Sequence, residues 1–264
     1  MLRMRSMTDT QQRRDTADGG EHTAGQAPAP SPSPRAERWH SGAEAGGGRG
    51  GLAWFPWVLA VSFLLLGAAV APFDVAIARW FATTRLPGDL GKAVMLSEAF
   101  AHGVGAATVL VAAWLLDPRF HGWRRIAGVV AGSFGGGLVT DVIKLFVDRV
   151  RPRALDFEAV QTTLGTFASP PGLGGSDLHS FPSGHSAVAA GLACTLAALY
   201  PRGRWLFACV GAMACFQRIA ASAHYPSDVA TGAAIGIVVA TACARLTAIP
   251  QGVDAYNRQS CDSL

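Results

Sequence analysis

The sequence predicts an all-α polytopic membrane protein, a bundle of six transmembrane helices. Half of its 264 residues are hydrophobic and only 15% are charged, whereas an ordinary soluble domain has about 25% charged residues. Six separate stretches approach the ~20 apolar residues that a helix needs to cross the hydrocarbon core of a bilayer. Residues 1–51, by contrast, contain almost no apolar runs.

The six candidate spans are short or rich in Ala and Gly, so we expect their insertion to depend on neighbouring helices. They cover residues 52–71, 100–116, 126–146, 185–200, 205–221 and 229–247. Glycines in the third and sixth spans allow helix backbones to approach closely; they are Gly132, Gly135, Gly136, Gly137, Gly232 and Gly236. This pattern predicts a compact bundle.

The segments before the first span and after the sixth are predicted to be tails. Residues 1–51 are rich in Gly, Ser, Thr, Pro, Gln and Arg, a composition that cannot bury enough apolar surface to offset the entropy of ordering. We expect a disordered cytoplasmic tail over 1–51, a six-span domain over 52–247 and a short cytoplasmic tail over 248–264.

The net charge of +4 comes without a dense basic cluster, which argues against nucleic acid as a partner. The five cysteines have no C-x-x-C spacing, which argues against a disulfide framework or a zinc site.

The distribution of Lys and Arg predicts which side of the membrane each segment faces. With both termini inside, 14 of the 22 Lys and Arg residues lie in inner segments and eight in outer ones. Cytoplasmic segments carry such an excess. We therefore expect a multi-pass protein of the cell inner membrane with cytoplasmic termini, in which the segments after spans one, three and five face the periplasm.

Two outer segments carry apolar residues at helical spacing. These residues are Phe73, Ile77, Trp80 and Phe81 after the first span, and Phe157, Val160, Leu164 and Phe167 after the third. Each segment is expected to form an amphipathic helix, either in the membrane interface or packed on the bundle. Residues 169–175, rich in Pro and Gly, predict a flexible connection to the fourth span.

Ionisable residues at the ends of spans are costly and usually face a site or an aqueous cavity. The first such block ends the third span, where Lys144 and Arg151 are seven residues apart. A helix that continues through both would present the two cations on one face. A planar guanidinium beside a compact ammonium suits phosphate oxygens. Taken alone, this block is more typical of cationic residues that flank a span.

The second block, residues 180–185, comes directly before the fourth span. Pro182 and Gly184 indicate a turn, and the helix that follows exposes unpaired backbone N–H groups that attract anions. Ser183 adds a hydroxyl donor, and His185 is placed to give a proton to a leaving oxygen. Alone, the segment is equally consistent with a capped helix start and an idle histidine.

The third block, residues 218–228, connects the fifth and sixth spans and begins with Arg218. Asp228 lies four residues after His224, so its carboxylate can accept a hydrogen bond from one imidazole nitrogen and leave the other nitrogen free to attack. Alone, the block is also consistent with an interfacial histidine and an acid in the first helical turn beside Pro226.

Together the three blocks share one side of the membrane, one order and a complementary chemistry. The arrangement K-x6-R-P, P-S-G-H and R-x5-H-x3-D resembles the signature of the type 2 phosphatidic acid phosphatase superfamily, the lipid phosphate phosphatases that share their site with vanadium haloperoxidases. The resemblance spans about residues 52–247, and all ten signature positions are present: Lys144, Arg151, Pro152, Pro182, Ser183, Gly184, His185, Arg218, His224 and Asp228. Gln217 stands where the third motif normally has Ser, a change expected to alter packing or a hydrogen bond behind the charged groups.

The resemblance implies a division of roles among these residues. His224 attacks phosphorus to give a phosphohistidine, Asp228 holds the imidazole, and His185 protonates the departing oxygen before water releases phosphate. The phosphoryl oxygens are bound by Lys144, Arg151, Ser183, Gly184 and Arg218. No metal ion or other cofactor is then needed, because the cations stabilise the transition state.

The resemblance also implies a substrate that carries its phosphate at the membrane surface and its tail in lipid. Fold and site specify phosphomonoester or diphosphate chemistry but not the tail. The family suggests isoprenyl diphosphates, phosphatidylglycerol phosphate, phosphatidic acid and lipid A phosphates. Two alternatives stay open: a lipid phosphotransferase that uses the same intermediate, and a non-catalytic protein that binds or transports lipid phosphates.

Overall fold

The computed structural model of the chain describes residues 54–117, 122–167 and 175–247. These residues are mainly helical; within them no β-strand forms, only two isolated bridges at Arg149. The all-α fold class is confirmed for this part of the chain. The predicted tails, 1–51 and 248–264, and most of the predicted flexible segment 169–175 lie outside the described residues.

The described residues form nine α-helices. In chain order they are α1 Phe55–Val70, α2 Asp74–Thr83, α3 Gly88–Leu96, α4 Glu98–Ala101, α5 Gly103–Leu116, α6 Trp123–Lys144, α7 Gly184–Leu199, α8 Arg204–Ala220 and α9 Pro226–Leu246. Short 3-10 turns lie between several of them, at Ala71–Phe73, Pro152–Ala154, Leu164–Thr166, Ser176–Leu178 and Pro201–Gly203. Each of the six predicted spans contains a helix.

Three of these helices in the described ranges are long and apolar enough to cross a membrane on their own. They are the continuous stretch Phe55–Thr83, which joins α1 to α2, and the helices α6 and α9. The stretch Gly88–Ala101, which contains α3 and α4, meets α5 at an angle of 70°, and the two together add a fourth crossing if they act as one broken span. Helices α7 and α8, with 16 and 17 residues, are shorter than the ~20 residues that a spanning helix needs. The count of six crossings therefore stays a prediction.

Helix α9 is the centre of the packing: it lies against α1, α6 and α7, while α8 packs mainly against α7. A Cβ added to Gly136 of α6 would lie 2.8 Å from the Cα of Gly236 in α9. A Cβ added to Gly191 of α7 would lie 2.7 Å from the carbonyl oxygen of Gly132. No side chain fits at these contacts, so the predicted close approach of the helix backbones is confirmed.

Large apolar side chains are divided between a small core and the outer surface. The main buried cluster joins α5, α6 and α7 through Leu110, Val129, Leu192 and Leu196. Other leucines leave more than half of their surface exposed; they include Leu65, Leu115, Leu116, Leu138 and Leu246. Exposed apolar surface of this extent is typical of a face that contacts lipid or another protein.

The first of the two predicted amphipathic segments is a helix, α2. Its buried face includes Asp74, Val75 and Ala78, while Phe73 and Trp80 are more than half exposed. The prediction of a helix after the first span is therefore confirmed. The position of α2 relative to the lipid interface stays a prediction.

The prediction of a second amphipathic helix, over residues 157–167, is wrong. This segment forms turns and the 3-10 turn Leu164–Thr166. The reason is that its backbone pairs outside the segment: the carbonyl oxygen of Thr166 accepts from the Val150 N–H at 2.8 Å. The Thr166 side chain accepts from Arg149 Nε at 2.9 Å. Leu164 is 83% exposed and Phe167 39% exposed, so the apolar spacing does not mark the buried face of a helix.

Candidate active site

The ends of four helices bring the three sequence blocks together. Lys144 ends α6, Gly184 begins α7, Arg218 lies in the last turn of α8, and Asp228 lies in the first turn of α9. A Cβ added to Gly184 would lie 3.3 Å from Lys144 Nζ. The N–H of Ser183 donates to the carbonyl oxygen of Asp228 at 3.1 Å.

The remaining predicted residues lie in the same place. Arg218 and His224 are close enough to His185 for their charges to act on it. Arg218 and Asp228 act on Arg151 in the same way. The eight predicted site residues therefore form a single group, which we call the polar cluster: Lys144, Arg151, Ser183, Gly184, His185, Arg218, His224 and Asp228.

His224 lies in the turn between α8 and α9 and is 2% exposed. Helix α8 ends where Ser222 adopts a left-handed φ of 53°, and the N–H groups of Ala223 and His224 then donate to the Arg218 carbonyl oxygen at 3.0 and 3.2 Å. The imidazole Nδ1 lies 2.7 Å from the carbonyl oxygen of Ser180. Because a carbonyl oxygen can only accept, Nδ1 carries the proton, and the neutral ring keeps its lone pair on Nε2.

The environment of His224 favours this neutral form. Burial lowers the pKa of His224 below its usual value of 6.5, and the neighbouring carboxylate of Asp228 offsets part of that effect. The imidazole is therefore neutral at pH 7, with its single proton on Nδ1 and with Nε2 available as a nucleophile.

Asp228 lies beside His224 but does not hold it in the predicted way. Its Oδ2 atom is 3.8 Å from His224 Nδ1, which is too far for a hydrogen bond. Oδ2 accepts instead from Ser180 Oγ at 2.6 Å and from the Tyr225 N–H at 3.0 Å. The carbonyl of Ser180, which sequence reasoning missed, is the direct partner of the imidazole. Asp228 acts on the ring through its negative charge.

The start of α7 provides backbone N–H groups next to a cation. Ser183 is the N-cap residue, and its Oγ accepts from the Ser186 N–H at 3.3 Å. A Cβ added to Gly184 would lie 3.1 Å from Thr140 Oγ1 as well as 3.3 Å from Lys144 Nζ, so glycine lets the lysine approach the helix start. The positive end of the helix dipole and the ammonium together favour an anion here.

Helix α6 does not continue from Lys144 to Arg151, contrary to the prediction that one helical face carries both cations. It ends at Lys144, and the chain becomes extended because it pairs with the segment before α7. The Arg149 N–H donates to the Leu178 carbonyl oxygen at 2.6 Å, and the Arg151 N–H donates to the Asp177 carbonyl oxygen at 2.7 Å. The two cations therefore enter the polar cluster from a helix end and from an extended segment.

Both cations retain donors for a ligand. Lys144 Nζ binds Asp141 at 3.0 Å, and the Asp141 side chain is 69% exposed. Arg151 Nη2 donates to the His179 carbonyl oxygen at 3.3 Å. Among the described residues, the buried Nε of Arg151 has no hydrogen-bond partner. Because a buried donor without a partner is costly, this N–H favours a bound anion.

Two residues outside the signature hold Arg218. Its Nη2 atom pairs with Glu98 Oε1 at 2.6 Å, and its Nε donates to Gln217 Oε1 at 2.5 Å. Gln217 Nε2 in turn donates to Glu98 Oε2 at 3.0 Å. The glutamine that replaces the usual serine therefore closes a ring of hydrogen bonds that fixes the guanidinium plane. Sequence reasoning missed Glu98, whose signal was an acidic residue two positions before a predicted span.

Arg149 and Asp74 form a buried ion pair behind the polar cluster. They are 1% and 0% exposed, and Arg149 Nη2 lies 2.8 Å from Asp74 Oδ2. Arg149 Nη1 also pairs with Asp228 Oδ1. Sequence reasoning missed both residues. The available signal was that each is an ionisable residue three positions after the end of a predicted span, where a charge without a partner is costly.

The arrangement is suited to phosphoryl transfer. A neutral buried imidazole lies next to a second histidine, His185, and among three cations that can bind an anion and stabilise its transition state. Within residues 54–117, 122–167 and 175–247, no group of three His, Cys, Asp or Glu side chains is arranged to hold a metal ion.

Residues 125–249 match the sequence profile of the PAP2 superfamily. The match contains all eight residues of the polar cluster. The PAP2 superfamily match applies to this segment of the chain. The resemblance drawn from the three sequence blocks is therefore confirmed. The PAP2 match begins in α6 and ends just beyond α9, so helices α1 to α5 precede it.

Two curated relatives of the chain are named lipid A 1-phosphatase. The one from Rhizobium johnstonii is 35% identical over 100 residues, which cover 38% of each chain. The one from Rhizobium etli is 34% identical over 100 residues, which cover 38% of this chain and 40% of the relative. The similarity thus spans about two fifths of the length of these relatives.

A solved structure is similar to the chain in fold. It is the transmembrane PAP2-type phosphatidylglycerolphosphate phosphatase from Bacillus subtilis, with a TM-score of 0.53 over 75% of this chain and 98% of that chain, at 19% sequence identity. At this identity the similarity shows the fold alone. Together with the long apolar helices, it identifies an all-helical membrane protein.

Proposed function

We propose that this protein is a membrane phosphatase that hydrolyses a phosphomonoester or diphosphate of a lipid through a phosphohistidine. The state of His224 carries the proposal: the ring is buried, its Nδ1 donates to the Ser180 carbonyl oxygen at 2.7 Å, and its Nε2 lone pair is free. A nucleophile fixed in this way and surrounded by cations is what attack on a phosphate requires.

The proposed reaction has two displacements at phosphorus. In the first, His224 Nε2 forms a bond to phosphorus, the bond to the lipid oxygen breaks, and His185 gives that oxygen a proton. In the second, His185 takes a proton from water, the water oxygen bonds to phosphorus, and the bond to Nε2 breaks. The negative oxygens are held throughout by Lys144, Arg151, Arg218 and the start of α7.

The proposed substrate is a lipid whose phosphate reaches the polar cluster from the membrane surface. Both curated relatives are named for lipid A 1-phosphate, and the structural neighbour is named for phosphatidylglycerol phosphate. These names define the first substrates to test, with phosphatidic acid and undecaprenyl diphosphate as further members of the panel.

The test is phosphate release by the purified full chain in detergent, measured for the four lipid phosphates with and without excess EDTA. We expect release from at least one of them, unchanged by EDTA. Rapid quenching with a ³²P-labelled substrate should trap an acid-labile label on the wild type and none on His224→Ala. Transfer of the label to an added lipid or sugar acceptor in place of water would identify a phosphotransferase. Tight binding with no turnover of any substrate would make the chain a binding protein.

We further propose six crossings, cytoplasmic termini and a periplasmic polar cluster, for which the supporting observations are the Lys and Arg distribution and the helix present in each predicted span. Single cysteines at Gln161 and Arg124, both exposed, test this in a background without native cysteines. An impermeant maleimide should label position 161 and not position 124 in intact cells. The opposite pattern would place the polar cluster in the cytoplasm.

A further inference from the structure

We infer that Asp74 and Arg149 are positioning residues for the reaction, acting on His224 through Asp228 and Ser180. This inference rests on the proposed function. Neither residue belongs to the family signature, and Asp74 lies on α2, outside the segment that matches the PAP2 profile.

Arg149 is a buried node that links four segments of the chain. Its guanidinium donates to Thr166 Oγ1 and to Ser227 Oγ, each at 2.9 Å. It also pairs with Asp74 at 2.8 Å and with Asp228. The guanidinium carbon lies 4.1 Å from the centre of the Tyr225 ring. A planar guanidinium whose three nitrogens all have partners can adopt only one orientation.

The node is connected to the nucleophile by an unbroken series of contacts. Arg149 fixes Oδ1 of Asp228, while Oδ2 of Asp228 accepts from Ser180 Oγ at 2.6 Å. The Ser180 N–H donates to the backbone carbonyl oxygen of Arg149 at 3.0 Å. Ser180 is therefore held by its backbone and its side chain, and its carbonyl oxygen is the group that binds His224 Nδ1. Displacement of Arg149 would rotate or shift the carbonyl that orients the imidazole.

Charge gives Asp74 a role of its own. When the imidazole bonds to phosphorus through Nε2 and keeps its Nδ1 proton, the ring becomes positively charged. Asp228, 3.8 Å away, stabilises the positive ring. Its effect is weakened to the extent that Arg149 compensates the negative charge of Asp228. Asp74 binds the same guanidinium and compensates its charge, so the group of two carboxylates and one guanidinium keeps a net charge of −1 beside the ring.

The decisive experiment replaces Asp74 by its neutral isostere. In Asp74→Asn, Arg149 compensates Asp228 more fully, and we expect kcat for the best substrate to fall about tenfold, as when a residue behind a ligand is lost. KM and the inhibition constant of inorganic phosphate should stay within about twofold, because Lys144, Arg151 and Arg218 are untouched. Asp89→Asn is the matched control, since Asp89 is 96% exposed and pairs only with Lys92 among the contacts of the described residues.

Two further variants keep the inference testable if Asp74→Asn does not fold. Thr166→Val removes one acceptor of Arg149 without a change of volume, and Arg149→Lys keeps the charge but removes the fork. Both should lower kcat while the phosphate inhibition constant holds, with the larger loss in Arg149→Lys. Arg153→Lys, at an exposed arginine of the same segment, is the control.

The outcomes separate the inference from the proposed function. If the wild type releases no phosphate from any substrate, the proposed function fails. If the wild type is active and the folded Asp74→Asn or Thr166→Val variant keeps its kcat, the inference is overturned while the function stands. If the loss of kcat is accompanied by weaker phosphate inhibition and a lower unfolding temperature, Asp74 and Arg149 have only a structural role. This result would also overturn the inference.

Discussion

The middle of the helix bundle and its polar end are organised in opposite ways. In the middle, α6, α7 and α9 meet through residues with little or no side chain, such as Gly136, Gly236 and the fully buried Ala187. At the polar end, buried charges are held by specific partners, as Arg149 is held by Asp74 and Asp228. Packing in the middle requires small side chains, whereas the polar end requires particular charged and hydrogen-bonding atoms. An added methyl group should therefore damage stability in the middle, and an exchanged atom should damage catalysis at the end.

The largest expected effect follows from removing the nucleophile. His224→Ala should lower kcat by about 10³-fold or more, the loss seen when a catalytic nucleophile or its base is deleted. The variant should still fold, because the ring lies in a turn between helices, but the loss of the buried hydrogen bond to Ser180 should lower its unfolding temperature in detergent. Phosphate release and thermal unfolding check the two statements. Near-normal turnover would remove His224 from the mechanism.

The next effect distinguishes the two histidines. His185→Gln should lower kcat by about 10²-fold for a lipid alkyl phosphate and much less for p-nitrophenyl phosphate, because a nitrophenolate leaves without a proton. The comparison of the two substrates with wild type and variant provides the measurement. Equal losses on both would exclude a general-acid role for His185.

A single methyl group tests the middle of the bundle. Gly136→Ala places a Cβ 2.8 Å from the Gly236 Cα and should destabilise the protein by about 1–3 kcal/mol, visible as a lower unfolding temperature. Gly103→Ala is the matched control, because a Cβ there meets nothing within 4 Å. Indistinguishable unfolding temperatures for these two variants would mean that the helices separate without cost.

The smallest effect concerns pH. Burial lowers the pKa of His224, so the neutral, reactive imidazole persists as the pH falls through 6.5 and is lost only below the lowered pKa. Between pH 7.5 and 6.5, kcat/KM for p-nitrophenyl phosphate should therefore fall by less than about twofold, the loss that an unshifted histidine would give at pH 6.5. A full twofold loss centred on pH 6.5 would indicate a solvated His224.

The same contrast explains how much could be predicted from the sequence. The helices in the middle were predictable because apolar runs and small residues act locally, and each predicted span does contain a helix. The ends of the elements were less predictable. The extended segment around Arg149 depends on carbonyl groups of residues 166, 177 and 178, partners that no local pattern indicates, and for that reason neither the end of α6 nor the loop over 157–167 was predicted correctly.

The polar cluster was assembled from motif spacing, but the groups that support it were not. Lys144, His185 and Asp228 belong to a family signature and could be assigned from their positions. Glu98 contacts Arg218 across 119 intervening residues, and Asp74 reaches Arg149 from helix α2. The carbonyl oxygen that binds His224 belongs to the backbone of Ser180, and a sequence pattern of side chains carries no information about such a group.

The central position of α9 has a consequence for how the protein fails on heating. This helix packs against α1, α6 and α7, and its first turn carries Asp228 directly after the turn that holds His224. Loosening of any of these helix contacts displaces the catalytic turn as well. We therefore expect thermal inactivation and thermal unfolding to follow one transition, with no partly melted form that retains turnover.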